Sequence, residues 1–270
     1  MNRIISTRRS ILAARSILAL GALAGTIACS SDSSVTAATS RARSDERLPT
    51  HDELQAALEF ARNTPNGGFN LDMWAAVVDR GGKVVAVAYT GAKEGDQWQG
   101  SRVISAQKAN TGNAFSLPEL ALSSANLYAA AQPGGTLFGL QESNPVDPDV
   151  AYRGNLSDFG TAHDPMIGGR IGGINVFGGG FALYASDGTL IGGIGVSGDA
   201  SCADHNIGWK TRDRLNLDFV PAGVSATHDD NIIYDLDAND HSPSGFGHPE
   251  CSAEATAISN ALPHDYPIGH

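Results

Sequence analysis

The sequence predicts an α+β fold: one antiparallel sheet of about five strands with helices packed on it. Three observations carry this. Two apolar runs, residues 73–79 and 83–90, flank Arg80-Gly-Gly82, which reads as a hairpin. Two more, residues 181–186 and 189–196, flank Asp187-Gly188 in the same way. Stretches with helical caps and helical apolar spacing lie around these hairpins, giving the order α-β-β-α-α-β-β-β-α.

The elements follow in chain order. Thr50-His-Asp-Glu53 is a capping box, and Leu54, Ala57, Leu58 and Ala61 recur behind it at helical spacing. Pro65-Asn-Gly-Gly68 stops that helix, and the first hairpin follows. Ser101 caps a second helix over residues 101–114. Ser116-Leu-Pro-Glu119 is another capping box, opening a third helix to residue 131. Residues 136–165 show no period, and a loop of that length in a compact domain is usually functional or a lid. Residues 171–177 read as a third strand, ahead of the second hairpin. Residues 203–215 are the last helix, with Ser201 as its cap. Beyond Asn216 the chain turns polar and reads as a tail packed on the domain.

Composition fits this plan. The 270 residues are 41% hydrophobic and 17% charged, with 32 glycines, which suits a turn-rich globular chain. Residues 1–28 read as an export signal: Ser6-Thr-Arg8-Arg9-Ser-Ile-Leu12 has the twin-arginine pattern, and an apolar run broken by Arg15 follows. That run is too short for a membrane span. Thr26-Ile-Ala28-Cys29-Ser30 has the form of a lipoprotein cleavage box, so Cys29 is the expected lipid attachment point and membrane anchor. Residues 29–48 then form a flexible tether. The signal contains four arginines and no acid; without it the net charge moves from −11 to −15. Such a surface repels phosphate backbones, so nucleic acid is not an expected partner.

With Cys29 lipidated, Cys202 and Cys251 remain as a disulfide pair in an oxidising compartment. It would close a loop of about 50 residues, worth on the order of 4 kcal/mol in the chain-entropy model. The alternative is a metal site from His248-Pro-Glu-Cys251 and Cys202. His228-Asp-Asp230 is a second possible metal group.

Gly193-Ile-Gly195-Val-Ser-Gly198 is a literal G-x-G-x-x-G, with Asp218 about 20 residues further on. A dinucleotide turn needs a parallel βαβ unit, whereas the Asp187-Gly188 hairpin makes the neighbouring strand antiparallel. Glycines inside a strand instead imply close approach of a helix backbone or a flat ligand.

Three motifs resemble the GlcG/HbpS-like haem-binding family. They are the hairpin Ala76-Val-Val-Asp79-Arg-Gly-Gly-Lys-Val-Val-Ala86, Ser101 seven residues before Lys108-Ala109, and Ile191-Gly-Gly-Ile-Gly-Val-Ser-Gly198. Asp204 falls near an acidic position that opens the family's last helix. The resemblance runs from Leu54 to Leu215. Residues 136–165, the tail, the cysteines and His205 depart from it. It implies a profilin-like or PAS-like α+β fold, assembly as a homo-oligomer, and a small-molecule ligand, foremost haem.

On that basis Gly193 and Gly195 would wall a haem-sized slot, with His205 as axial ligand and Asp204 orienting its ring. Lys108 would meet a propionate, and Ser101 would line the site. No C-x-x-C-H is present, so attachment would be non-covalent. The rival reading is an enzyme on a small organic acid, using Lys108 with the Asp204/His205 pair. The third is a structural or sensory module without a cofactor. No G-x-S-x-G elbow supports an α/β-hydrolase triad.

Overall fold

The computed structural model describes residues 47–269. The export signal, Cys29 and nearly all of the tether lie outside the described residues. Helix α1 is His51–Arg62, started by the capping box read from the sequence: Thr50 Oγ1 accepts from Glu53 N–H, and Glu53 accepts from Thr50 N–H at 2.8 Å. Strands β1 (Trp74–Asp79) and β2 (Val84–Tyr89) form the first hairpin, and Gly82 takes the left-handed turn position at φ 76°. Helix α2 is Ser101–Phe115; β3 is Gly180–Tyr184; β4 is Leu190–Ser197; helix α3 is Ser201–Arg214; and helix α4 is Ala253–Asp265.

The sheet has the order β2-β1-β4-β3 and every pairing is antiparallel. Period-two alternation gives it two apolar faces. Trp74, Ala76 and Val78 face α2 with Val103, Ala106 and Ala109. Ala75, Val77, Ile194 and Val196 face the other way, onto Leu54 and Leu58 of α1 and Ile207 and Trp209 of α3. The α+β class is as expected, with four strands rather than five.

The missing strand is residues 171–177. Gly172 and Gly173 both take positive φ, 63° and 74°, which breaks an extended run. The segment makes only a single bridge, Val146 with Gly172. The third helix also differs. Ser116 Oγ accepts from Leu122 N–H at 3.0 Å, while Leu117 and Leu120 exchange backbone bonds in a tight turn. A 3-10 turn, Ser124–Leu127, and one helical turn, Tyr128–Ala131, follow. Ser101 is the first residue of α2 but caps nothing; the cap position is Gly100.

Residues 136–165 are not an open lid. The Arg102 guanidinium, buried under this loop, pairs with Asp164 (Nε–Oδ2 2.8 Å) and donates to Ala151 O at 2.9 Å. Asp164 also accepts from Gly160 and Met166 N–H.

The C-terminal segment is more than a polar tail. It contains α4, capped by Ser252 Oγ accepting from Ala255 N–H at 3.0 Å. Cys202 and Cys251 form a disulfide with Cα atoms 5.9 Å apart, so neither is a metal ligand. Asp230 pairs bidentately with Arg212, both bonds 2.7 Å. Asp229 caps Asn231 N–H and takes the Ser225 hydroxyl. These roles use the carboxylates of His228-Asp-Asp230, the alternative metal group. Among the described residues, no cluster of three or more His, Cys, Asp or Glu is placed to hold a metal. No helix among them is long and apolar enough to cross a membrane.

Candidate functional site

The glycines of β4 serve helix packing, not a ligand slot. A Cβ on Gly195 would stand 2.0 Å from Ser105 O and 2.3 Å from Ala109 N; one on Gly193 would stand 2.4 Å from Ala109 O. The α2 backbone therefore lies directly on the strand. Of the two explanations for in-strand glycines, close approach by a helix is what the fold uses.

This contact fixes Lys108 over the end of β4. Its ammonium donates to Asp204 Oδ2 at 2.7 Å and to Val196 O at 3.2 Å, and both side chains of the ion pair are almost wholly buried. Asp204 Oδ1 accepts from Asp199 N–H at 2.8 Å. Burial pushes the Asp204 carboxyl up to about 6, against the opposing pull of Lys108. Lys108 is thus committed to Asp204 rather than presented to a propionate or to a small acid.

Above this pair lies a cleft of about 320 Å³, between the N-terminal ends of α2 and α3. That volume is at the lower end for small-molecule sites, which run about 300–1,000 Å³. Trp98, Ile104 and Phe177 give it apolar walls; Ser101, Ser197 and Ser201 add hydroxyls; Lys108, Asp199 and Asp204 form the charged floor. Trp98 is 56% and Phe177 46% exposed, so its rim holds two large aromatic groups open to solvent. Asp199 is held by Phe69 and Leu71 N–H at 2.8 and 3.1 Å, which ties α3 to the chain before β1.

Three of the expected site residues, Ser101, Lys108 and Asp204, therefore meet in one cleft. His205 does not. It follows Asp204 on a helix that turns about 100° per residue, so it faces the core. Its ring is fully buried against Phe181, centroids 4.7 Å apart. Its Nε2 lies 3.0 Å from Asn231 Oδ1 and 3.1 Å from Ile232 N. Desolvation lowers its pKa to about 3, so the ring is neutral. Trp98, Ile104, Phe177, Ser197, Asp199 and Ser201 complete the cleft, and sequence reasoning does not assign them to it. Only the exposure of two large aromatics distinguishes the rim, and exposure is not visible in a sequence.

The buried groups set an acid response. His205 and His248, lowered by burial to about 3 and about 4, stay neutral in the fold. In the unfolded chain they protonate at about pH 6.5, the ordinary histidine value. Their contribution is present above about pH 6.5 and is lost as pH falls. Asp204 has the opposite sign: its raised value favours the fold below about pH 4, and that contribution is lost as pH rises through about 6. Between pH 6 and 5 the unfolded chain carries roughly one and a half to two histidine protons that the fold lacks, while the fold carries roughly half to one more on Asp204. These groups therefore destabilise by about 1 kcal/mol per pH unit toward acid. Urea midpoints should fall from pH 6 to 5, and His205→Gln should flatten the fall. A midpoint that rises toward pH 5 contradicts these burial effects.

A family profile described as "Haem degrading protein HbpS-like" matches residues 50–211. No curated protein matches the chain. Among solved structures, a PduOC–haem complex is 23% identical, with TM-score 0.44, over 63% of this chain and 96% of that one. The Klebsiella pneumoniae protein ORFY is 20% identical, with TM-score 0.42, over 63% and 93%. HbpS is 20% identical, with TM-score 0.35, over 71% and 96%.

Proposed function

The chain belongs to the HbpS-like family of haem-degrading proteins, and we propose that it binds haem non-covalently at the cleft between α2 and α3. The observation that carries this is the family match itself, which spans every residue that lines the cleft. The walls suit the flat apolar body of a porphyrin: Trp98, Ile104 and Phe177 all line the cleft, and the two aromatic rings are open to solvent. Aromatic faces of this kind supply large apolar contact with defined geometry.

The iron is another matter. No imidazole, thiolate, thioether or phenol is among the described side chains lining the cleft. His205, the sequence-based axial candidate, lies behind it with its Nε2 engaged by the C-terminal segment. The residues thus fit the macrocycle and not an iron ligand, so affinity rests on apolar burial.

The same reading places the protein outside the cytoplasm, lipid-anchored through Cys29, and assembled from copies of itself. The signal pattern, the cleavage box and the family resemblance support these points. Mass measurement of the membrane-extracted protein tests the anchor: a diacylglyceryl adduct on an N-terminal Cys29 is expected, and an unmodified cysteine contradicts it.

Titration with haemin, followed in the Soret band, tests the ligand. One saturable site is expected, and iron-free protoporphyrin should compete for it within about tenfold, since the ring and not the metal supplies the contact. Absence of a saturable shift contradicts haem binding. A porphyrin that fails to compete contradicts the ring-based mode.

A further inference from the structure

The first residue of α3 meets a histidine from the C-terminal segment at the side of the cleft. Ser201 Oγ lies 2.8 Å from His248 Nε2. His248 Nδ1 lies 2.8 Å from Pro249 O. A carbonyl can only accept, so Nδ1 carries the ring proton and Nε2 offers its lone pair. The Ser201 hydroxyl therefore donates to His248, while its oxygen accepts from Gly178 N–H at 2.7 Å. A hydroxyl on an imidazole lone pair, with that imidazole oriented by a third group, is the arrangement that activates a serine nucleophile.

The surroundings hold this pair rigidly. The His248 ring packs on Tyr128 with centroids 4.9 Å apart, and its backbone N–H donates to Ile233 O at 2.7 Å. His248 is 1% exposed, so the base is shielded from bulk water. The disulfide joins Cys202, next to the serine, to Cys251, three residues after the histidine. It staples together the two segments that supply nucleophile and base. Burial keeps His248 neutral at pH 7, with its Nε2 lone pair on the Ser201 hydroxyl. His248 lies outside residues 50–211, so the matched family region supplies Ser201 and this chain's own C-terminal segment supplies the base.

We infer that Ser201 and His248 form a nucleophile–base pair that cleaves small apolar carboxylic esters held between Trp98 and Phe177. Ser201 Oγ bonds to the ester carbonyl carbon as its proton passes to His248 Nε2. The carbon–alkoxy bond then breaks, and the alkoxide leaves with that proton as an alcohol. Water next gives a proton to His248 and its oxygen to the acyl carbon. The serine–acyl bond breaks, Ser201 recovers the proton, and a carboxylic acid is released. No redox partner is needed. This chemistry does not depend on haem binding.

The test uses the intact, disulfide-bonded protein with diisopropyl fluorophosphate and with 4-nitrophenyl acetate. One phosphoryl adduct on Ser201 is expected by peptide mass, with release of 4-nitrophenolate above the buffer rate. His248→Gln should slow both by about 100-fold, the scale of a lost general base. Ser201→Ala should abolish the adduct, and reduction of Cys202–Cys251 should slow labelling. No adduct at Ser201, or equal labelling rates in His248→Gln and the unmodified protein, overturns the inference. Adduct mass and haemin absorbance are independent readouts, so failure of either leaves the other standing.

Discussion

Gly195→Ala should destabilise the protein by about 4 kcal/mol or more, although it adds a single methyl group. Overpacking a core ordinarily costs about 1–3 kcal/mol because side chains shift to make room. Here the atoms in the way are backbone: Ser105 O at 2.0 Å and Ala109 N at 2.3 Å. No rotamer change relieves that, so α2 must lift from the sheet or β4 must bend. Either motion opens the face where Trp74, Ala76 and Val78 meet Val103 and Ala106. The informative control is Gly188→Ala. Gly188 holds φ 81° in the second hairpin, and a methyl group added there would meet nothing within 4 Å. It should cost only the backbone strain, about 1 kcal/mol. Thermal melts of the two variants should therefore separate widely; near-equal melting temperatures contradict direct packing of helix backbone on Gly195.

Asp230→Ala should cost about 3–5 kcal/mol, the penalty for leaving one member of a buried pair uncompensated. Arg212 and Asp230 have fully buried side chains, and their two 2.7 Å bonds are the guanidinium's charged contacts. The cation would lose its two charged hydrogen bonds and keep the field of Asp218 and Asp229, the Phe181 and Trp209 rings at 4.7 and 5.1 Å, and a weak bond to Ala182 O at 3.3 Å. The double variant Arg212→Met with Asp230→Leu should recover most of the loss, because it removes both charges from a dry site. Urea unfolding of the single and double variants measures this. A single variant within about 1 kcal/mol of the unmodified protein contradicts the pairing. So does a double variant no better than the single.

These two sites show why some of the fold is legible in the sequence and some is not. The hairpins are legible because Gly82 and Gly188 mark turns that few other residues can make. The segment 171–177 has the apolar content of a strand, but a left-handed glycine and an extended one look the same in a sequence. Helix α4 is hidden because its alanine-rich sequence lacks a broad apolar stripe; its burial depends on α3, to which the disulfide binds it.

The site divides the same way. Ser101, Lys108 and Asp204 line one cleft. Asp204 and His205 look like a functional unit because they are adjacent in the chain. Adjacency on a helix separates side chains, whereas positions three, four or seven apart share a face. Ser201 and Asp204 satisfy that spacing and both line the cleft. His248, 47 residues beyond Ser201, is brought beside it only by the folded C-terminal segment.

The central claim is that the cleft, and not the buried imidazole of His205, holds the haem. Haemin dissociation constants of Ile104→Glu and His205→Gln, taken from Soret titrations under one condition, test it most directly. Ile104 lies on the cleft's apolar wall, half-buried, so the glutamate places a charge against the ring without opening the core. The account predicts affinity at least tenfold weaker in Ile104→Glu, and an unchanged affinity and Soret position in His205→Gln. Loss of the band in His205→Gln, with Ile104→Glu binding normally, would contradict it.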